Sequence, residues 1–97
     1  MAKEIDGATA RTWHEAGTAT FLDVRPRRMY QAGHIPGALS NPASEFDMGV
    51  ISSIPKDATI VVYCVRGIAS AQVADYLASI GYTNVFSLAG GYKAWLA

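Results

Sequence analysis

Short apolar runs alternate along this chain with segments whose apolar residues recur at helical spacing. Lys3–Ile5 reads as a weak first strand. Asp6 is a helix N-cap, and the helix it opens runs to about Ala16 with Ala10, Trp13 and Ala16 on one side; Gly17 stops it. Thr20–Val24 is a short apolar strand that ends in a charged pair. Pro26 suits the first turn of a helix to about Ala32, closed by Gly33. Ile35–Leu39 is a turn that leads into a third short strand. Ser44 is positioned to cap a short helix through about Ile51, and Pro55-Lys56-Asp57 is turn chemistry. Thr59–Tyr63 is apolar and β-branched throughout, the pattern of a strand buried on both faces. A glycine-containing loop and a helix from about Ser70 to Ile80 follow, with Val73, Leu77 and Ile80 on one face and Gly81 at its end. Val85–Leu88 is the last strand. Ala89-Gly90-Gly91 opens a final helix that carries Tyr92 and Trp95.

Strands that alternate with helices at this spacing imply βαβ units, hence an α/β fold with a parallel sheet. In open parallel sheets, ligand sites lie beyond the carboxyl ends of the strands. The residues just past Val24 and Tyr63 are therefore the first candidates, and Cys64 is one of them.

At 97 residues the chain is expected to form a single domain over 1–97. Apolar residues make up 51 %, enough for a core, and charged residues only 16 %, which excludes intrinsic disorder. Eight basic residues balance eight acidic ones. A zero net charge argues against a general nucleic-acid or anionic-membrane binder, so any anion affinity must be local. The start, Met1–Asp6, lacks the apolar stretch that a secretory signal needs, the longest apolar run, Ala58–Val65, is far short of a membrane span, and the expectation is a soluble cytoplasmic protein. No metal-ligand spacing, Walker loop or dinucleotide fingerprint occurs, so no cofactor is expected.

Cys64 is the only cysteine, which leaves no partner for an intrachain disulfide or a cysteine metal cluster. The segment Tyr63-Cys64-Val65-Arg66-Gly67-Ile68-Ala69-Ser70 passes from a buried strand through a short loop into a helix. That geometry turns several backbone N–H groups, and the positive end of the helix, towards a common point. A sulfur there is stabilised as thiolate and becomes a nucleophile. Arg66 adds a full charge, and Gly67 permits the turn. On this pattern alone Cys64 is equally a nucleophile or the last core residue of its strand.

Four motifs resolve the choice. Asp23-Val24-Arg25, Gly33-His34-Ile35-Pro36-Gly37-Ala38, Cys64–Ala69 and Ala89-Gly90-Gly91-Tyr92-Lys93-Ala94-Trp95 together resemble the rhodanese family, in its order and spacing, over nearly the whole chain. The resemblance implies a five-stranded parallel sheet with helices on both faces. It implies a sulfurtransferase in which Cys64 takes sulfane sulfur from thiosulfate or a persulfide donor and passes it to a thiol or cyanide. The amides of Val65, Arg66, Gly67, Ile68, Ala69 and Ser70 would then hold the persulfide charge, and Arg66 would attract the anionic donor. The six-residue loop is the length associated with sulfurtransferases; related phosphatases use seven residues ending in Arg, where this chain has Ser70. Many active members carry Arg at the sixth loop position, where this chain has Ala69, so weaker thiosulfate binding is expected. Met29 stands where an acidic residue is common, a lost surface contact without consequence for the chemistry. With no second cysteine in the chain, sulfur must leave to a small molecule or to a partner's thiol, such as a sulfur-relay protein. A partner-loaded delivery module and a non-catalytic interaction domain are the alternatives.

Asp23 and Arg25 frame the site in the family; from the sequence, a salt bridge that anchors the loop is the favoured role. His34 is expected to hold its turn by a hydrogen bond rather than to act as a base. His14 is expected in solvent, as is the Arg25, Arg27, Arg28 cluster at a helix start. Trp13 and Trp95 are expected in the core, and Tyr63 and Tyr82 carry no site argument.

Overall fold

A computed structural model describes residues 2–97. Its elements are β1 (Lys3–Ile5), α1 (Gly7–Ala16), β2 (Thr20–Asp23), α2 (Arg27–Ala32), β3 (Leu39–Ser40), α3 (Met48–Ser52), β4 (Thr59–Tyr63), α4 (Ile68–Ser79), β5 (Asn84–Leu88) and α5 (Gly91–Leu96), with a 3₁₀ turn at Ala43–Glu45. The five strands lie in the order β1-β5-β4-β2-β3, and every pairing is parallel.

β4 occupies the centre, bonded to β2 on one side and β5 on the other. Its side chains alternate between the two faces, as the pleat requires. Ile60 and Val62, with Cys64 beyond the strand end, join Leu22, Val85, Ile51, Ala74 and Leu77 beneath α3 and α4. Val61 and Tyr63 join Phe21, Leu88, Ala10, Ile35 and Trp95 beneath α1 and α5. A strand covered on both faces favours apolar, β-branched side chains at every position, which is why Thr59–Tyr63 shows no polar alternation.

α1 begins and ends where its capping residues place it. The Asp6 side chain accepts from the Thr9 amide at 2.8 Å, and Gly17 closes the helix at φ 69°. α1 and α5 approach so closely that a Cβ on Gly7 would lie 2.7 Å from the Ala94 carbonyl oxygen.

Other boundaries differ from the pattern. Ser44 caps nothing: it lies within the 3₁₀ turn, exposed. The cap of α3 is Asp47, whose side chain accepts from the Gly49 amide at 2.7 Å. Asn41 sets it in place, accepting from the Asp47 amide at 2.8 Å and donating to the Asp47 carbonyl at 3.0 Å. α4 starts at Ile68, two residues before Ser70, because Gly67 at φ 101° makes the turn into the helix. Ala16 is exposed, and Trp13 is only half-buried, edge-on to Phe86 at 5.1 Å between ring centres. His14 is not free in solvent: its Nε2 is 2.8 Å from the Pro36 carbonyl oxygen, and its ring packs edge-on against Phe21 and Trp95.

Replacing the α3 cap tests this assignment. Asp47→Ala is expected to lower unfolding free energy by about 1 kcal/mol, the usual worth of an N-cap. Ser44→Ala is expected to change it by less than about 0.5 kcal/mol, as for an exposed side chain. Urea denaturation of the two variants beside the parent decides between the caps.

Candidate active site

The strand order places the carboxyl ends of β2 and β4 side by side, and the residues that follow them meet there. Val24, Arg25 and Pro26, just past β2, and Cys64, Val65, Arg66, Ile68 and Ala69, past β4, line a cavity of about 290 Å³. Cys64 is 5 % exposed. Val65 and Ile68 are exposed, and the Arg66 side chain is exposed without a hydrogen-bond or ionic partner among the described residues.

The loop wraps around the sulfur. The Gly67 amide donates to Cys64 Sγ at 3.1 Å and the Ser70 amide at 3.4 Å. The Ser70 hydroxyl lies 3.4 Å from Sγ, and 2.8 Å from the hydroxyl of Ser87 on β5. Burial pushes the Cys64 thiol up. Hydrogen bonds from the Ser70 hydroxyl, the Ser70 amide and the amides of Gly67 and Arg66 outweigh burial, and the thiol lies below its ordinary value. Of the six loop amides, then, those of Arg66, Gly67 and Ser70 bear on the sulfur itself.

A second segment holds the loop from below. The Tyr92 amide donates to the Cys64 carbonyl at 2.8 Å. Gly91, at φ 65°, passes so near that a Cβ there would overlap the backbone of Cys64 and Val65. Only glycine permits this contact at Gly91, the first residue of α5.

Asp23 and Arg25 form an ion pair at 2.7 Å, with Asp23 fully buried and Arg25 5 % exposed. Asp23 also accepts from the Arg25 amide at 2.9 Å, and Arg25 Nη2 donates to the Gly33 carbonyl at 2.6 Å. Burial draws the guanidinium down, but the hydrogen bond and charge of Asp23 outweigh it and raise Arg25 above its ordinary value. The guanidinium lies over the Tyr92 ring at 4.2 Å and near the Tyr63 ring at 5.6 Å. Tyr63 belongs to the same cluster: burial, then its hydrogen bond to Asp23, keeps its phenol protonated well above the usual range, and its oxygen accepts from the Ile35 amide at 3.1 Å. The pair thus anchors the β2 loop, the Gly33 turn and the approach to α5 at once.

His34 lies outside the sulfur pocket. Its Nδ1 is 2.8 Å from the Tyr30 carbonyl oxygen, and its ring stacks on Tyr30 at 3.7 Å. Arg27 reaches Ser40 at 3.2 Å, so the three arginines do not form one patch: Arg25 is buried and paired, Arg27 is engaged, and Arg28 is exposed.

Sequence reasoning missed Tyr63, Tyr92 and Ser87. Strand alternation places Tyr63 on the face opposite Cys64, and that signal was available. Ser87 is the lone polar residue between Phe86 and Leu88 of a buried strand, a second available signal.

The sequence matches the rhodanese-like domain family over residues 7–97. It is 37 % identical over 81 residues to thiosulfate sulfurtransferase GlpE of Shewanella oneidensis, covering 84 % of this chain and 79 % of that relative. The rhodanese-like domain of the Anabaena Alr3790 protein superposes with a TM-score of 0.86 at 34 % identity, over 99 % of this chain and 74 % of that one. The human single-domain sulfurtransferase TSTD1 superposes with a TM-score of 0.85 at 28 % identity, over 99 % and 96 % of the two chains. Sequence and backbone agree over nearly the full length, and the chain belongs to the rhodanese-like domain family.

Proposed function

We propose that this protein is a sulfurtransferase that moves sulfane sulfur from thiosulfate or a persulfide donor, through a Cys64 persulfide, to a thiol or cyanide. The observation that carries the reading is the sulfur cradle. A thiol held by two amides and a hydroxyl at the carboxyl end of the central strand is biased towards thiolate.

The Cys64 thiolate attacks the outer sulfur of thiosulfate. A Cys64–sulfur bond forms, the donor's S–S bond breaks, and sulfite leaves with the bonding electron pair. An acceptor thiolate then attacks the outer sulfur of the persulfide, and Cys64 departs again as thiolate. No net oxidant is needed, because the sulfur carries its oxidation state with it. The loop amides from Val65 to Ser70 surround the charge in both steps, and the unpaired Arg66 attracts the anionic donor. Arg25 and Asp23 hold the opposite wall of the cavity. Ser70, buried and bonded to Sγ, stands where a phosphatase needs an arginine to clamp phosphate, which argues against phosphate ester hydrolysis.

Ala69 supports a second reading, a module loaded by a partner protein and slow with free thiosulfate. Without an arginine there, Arg66 is the only loop cation. No helix among the described residues is long and apolar enough to cross a membrane. We place the reaction in the cytoplasm, where a lone free cysteine stays reduced.

Intact mass after incubation with thiosulfate is expected to rise by one sulfur, removable by cyanide or a thiol, and Cys64→Ser is expected to show no gain. Absence of added sulfur from both thiosulfate and a persulfide donor overturns the reading. Steady-state turnover with free thiosulfate separates the enzyme from the partner-loaded module. The loading rate is expected to rise with pH and level off below the midpoint of about 8.5 for an ordinary thiol. The sign follows for stability: a lowered folded pKa favours the fold above the unfolded value and loses that contribution as pH falls through the folded one. Ala69→Arg is expected to lower the KM for thiosulfate about fivefold, the worth of an ion pair of ~1 kcal/mol, while the rate of discharge to thiols stays near that of the parent.

A further inference from the structure

We infer that Ser87 is a positioning residue that directs the Ser70 hydroxyl hydrogen onto the Cys64 sulfur and so sets the acidity of the nucleophile. The inference rests on Cys64 working as a thiolate.

Ser87 lies in β5, in register with Val62 of β4 and Glu4 of β1. It shares a sheet face with Val85, which packs in the core beneath α4. Its side chain is fully buried, as is that of Ser70. Among the described residues, the Ser87 hydroxyl has one hydrogen-bond partner, Ser70 Oγ at 2.8 Å. Ser70 Oγ in turn is 3.4 Å from Cys64 Sγ. The three groups form a short chain that begins at the sulfur and stops at Ser87.

Counting hydrogens gives the chain a direction. With Cys64 as a thiol there are three hydrogens, one on sulfur and one on each hydroxyl, for two contacts. One hydrogen is left without an acceptor in a buried site. With Cys64 as thiolate there are two hydrogens for two contacts, and both bonds are made: Ser87 donates to Ser70, and Ser70 donates to sulfur. Among the described residues Ser87 has no other acceptor, so its hydrogen is spent on the Ser70 oxygen, and the Ser70 hydrogen is left for Sγ. Aligned hydroxyls polarise one another and strengthen the terminal bond to the anion. The same alignment serves Cys64 when it departs as thiolate from the persulfide.

A Ser87 that merely filled space would affect stability and leave thiol acidity alone. The test is the rate of Cys64 alkylation by iodoacetamide against pH, for the parent, Ser87→Ala, Ser70→Ala and the double variant, each with its urea unfolding curve. Ser87→Ala is expected to raise the alkylation midpoint and slow the reaction two- to fourfold at pH values below the parent's midpoint, roughly the share of a charge-assisted hydrogen bond carried by cooperativity. Ser70→Ala is expected to raise the midpoint further, and the double variant to match Ser70→Ala, because Ser87 reaches sulfur only through Ser70. An unchanged midpoint in Ser87→Ala overturns the inference, and so does a double variant whose shift is the sum of the single ones. Alkylation needs no sulfur donor. A protein that shows the Ser87 shift yet never gains sulfur would overturn the proposed reaction and leave the role of Ser87 standing.

Discussion

The position of β4, hydrogen-bonded along both edges and covered on both faces, constrains the rest of the molecule. A strand so enclosed cannot shift register by one residue without turning its whole apolar set to the wrong face. Cys64 follows it immediately, so the position of the sulfur is set by the end of this enclosed strand. A parallel sheet also gathers the ends of β2 and β4 at one edge, which brings Arg25 to the cavity that Cys64 lines. The loop around the sulfur is then a short excursion between two fixed points, the end of β4 and the start of α4.

Two charged systems flank that point and behave differently. Arg25 is neutralised by Asp23, enclosed by Tyr63 and Tyr92, and committed to architecture through the Gly33 carbonyl. A buried ion pair of this kind is weak evidence for stability, but breaking it would strand a charge in the core. Arg66 is exposed and unengaged among the described residues, so its field is open to a ligand. The division leaves one arginine fixed in the pocket wall and the other exposed at the same cavity.

Features that depend on local chemistry were legible from residues alone. The Asp6 cap, the Gly17 stop, the both-face burial of Thr59–Tyr63 and the strand–loop–helix around Cys64 all follow from near neighbours in sequence. The five-stranded parallel sheet with helices on both faces agrees with the resemblance that the four motifs carried. What was not legible depends on partners distant in the chain. Ser44 and Asp47 are both good caps, and Asn41 decides between them. His14 sits at a polar-looking helix position, yet the turn at Pro36 and the ring of Trp95 close over it. The polarity of Ser87 inside an apolar strand was visible, but its partner Ser70 was not until α4 and β5 set the two side by side.

The docking of α5 has a further consequence. The sulfur loop rests on the Tyr92 amide and on Gly91, both at the start of this six-residue helix. α5 is itself held against α1 by the Gly7–Ala94 approach, by Arg11 bonding the Trp95 carbonyl and by the Arg11 guanidinium over the Trp95 ring at 4.7 Å. The docking of α5 on α1 therefore braces, from a third side, the backbone whose amides acidify Cys64, and loosening α5 is expected to loosen that cradle, so that thiol reactivity reports on the finished tertiary structure.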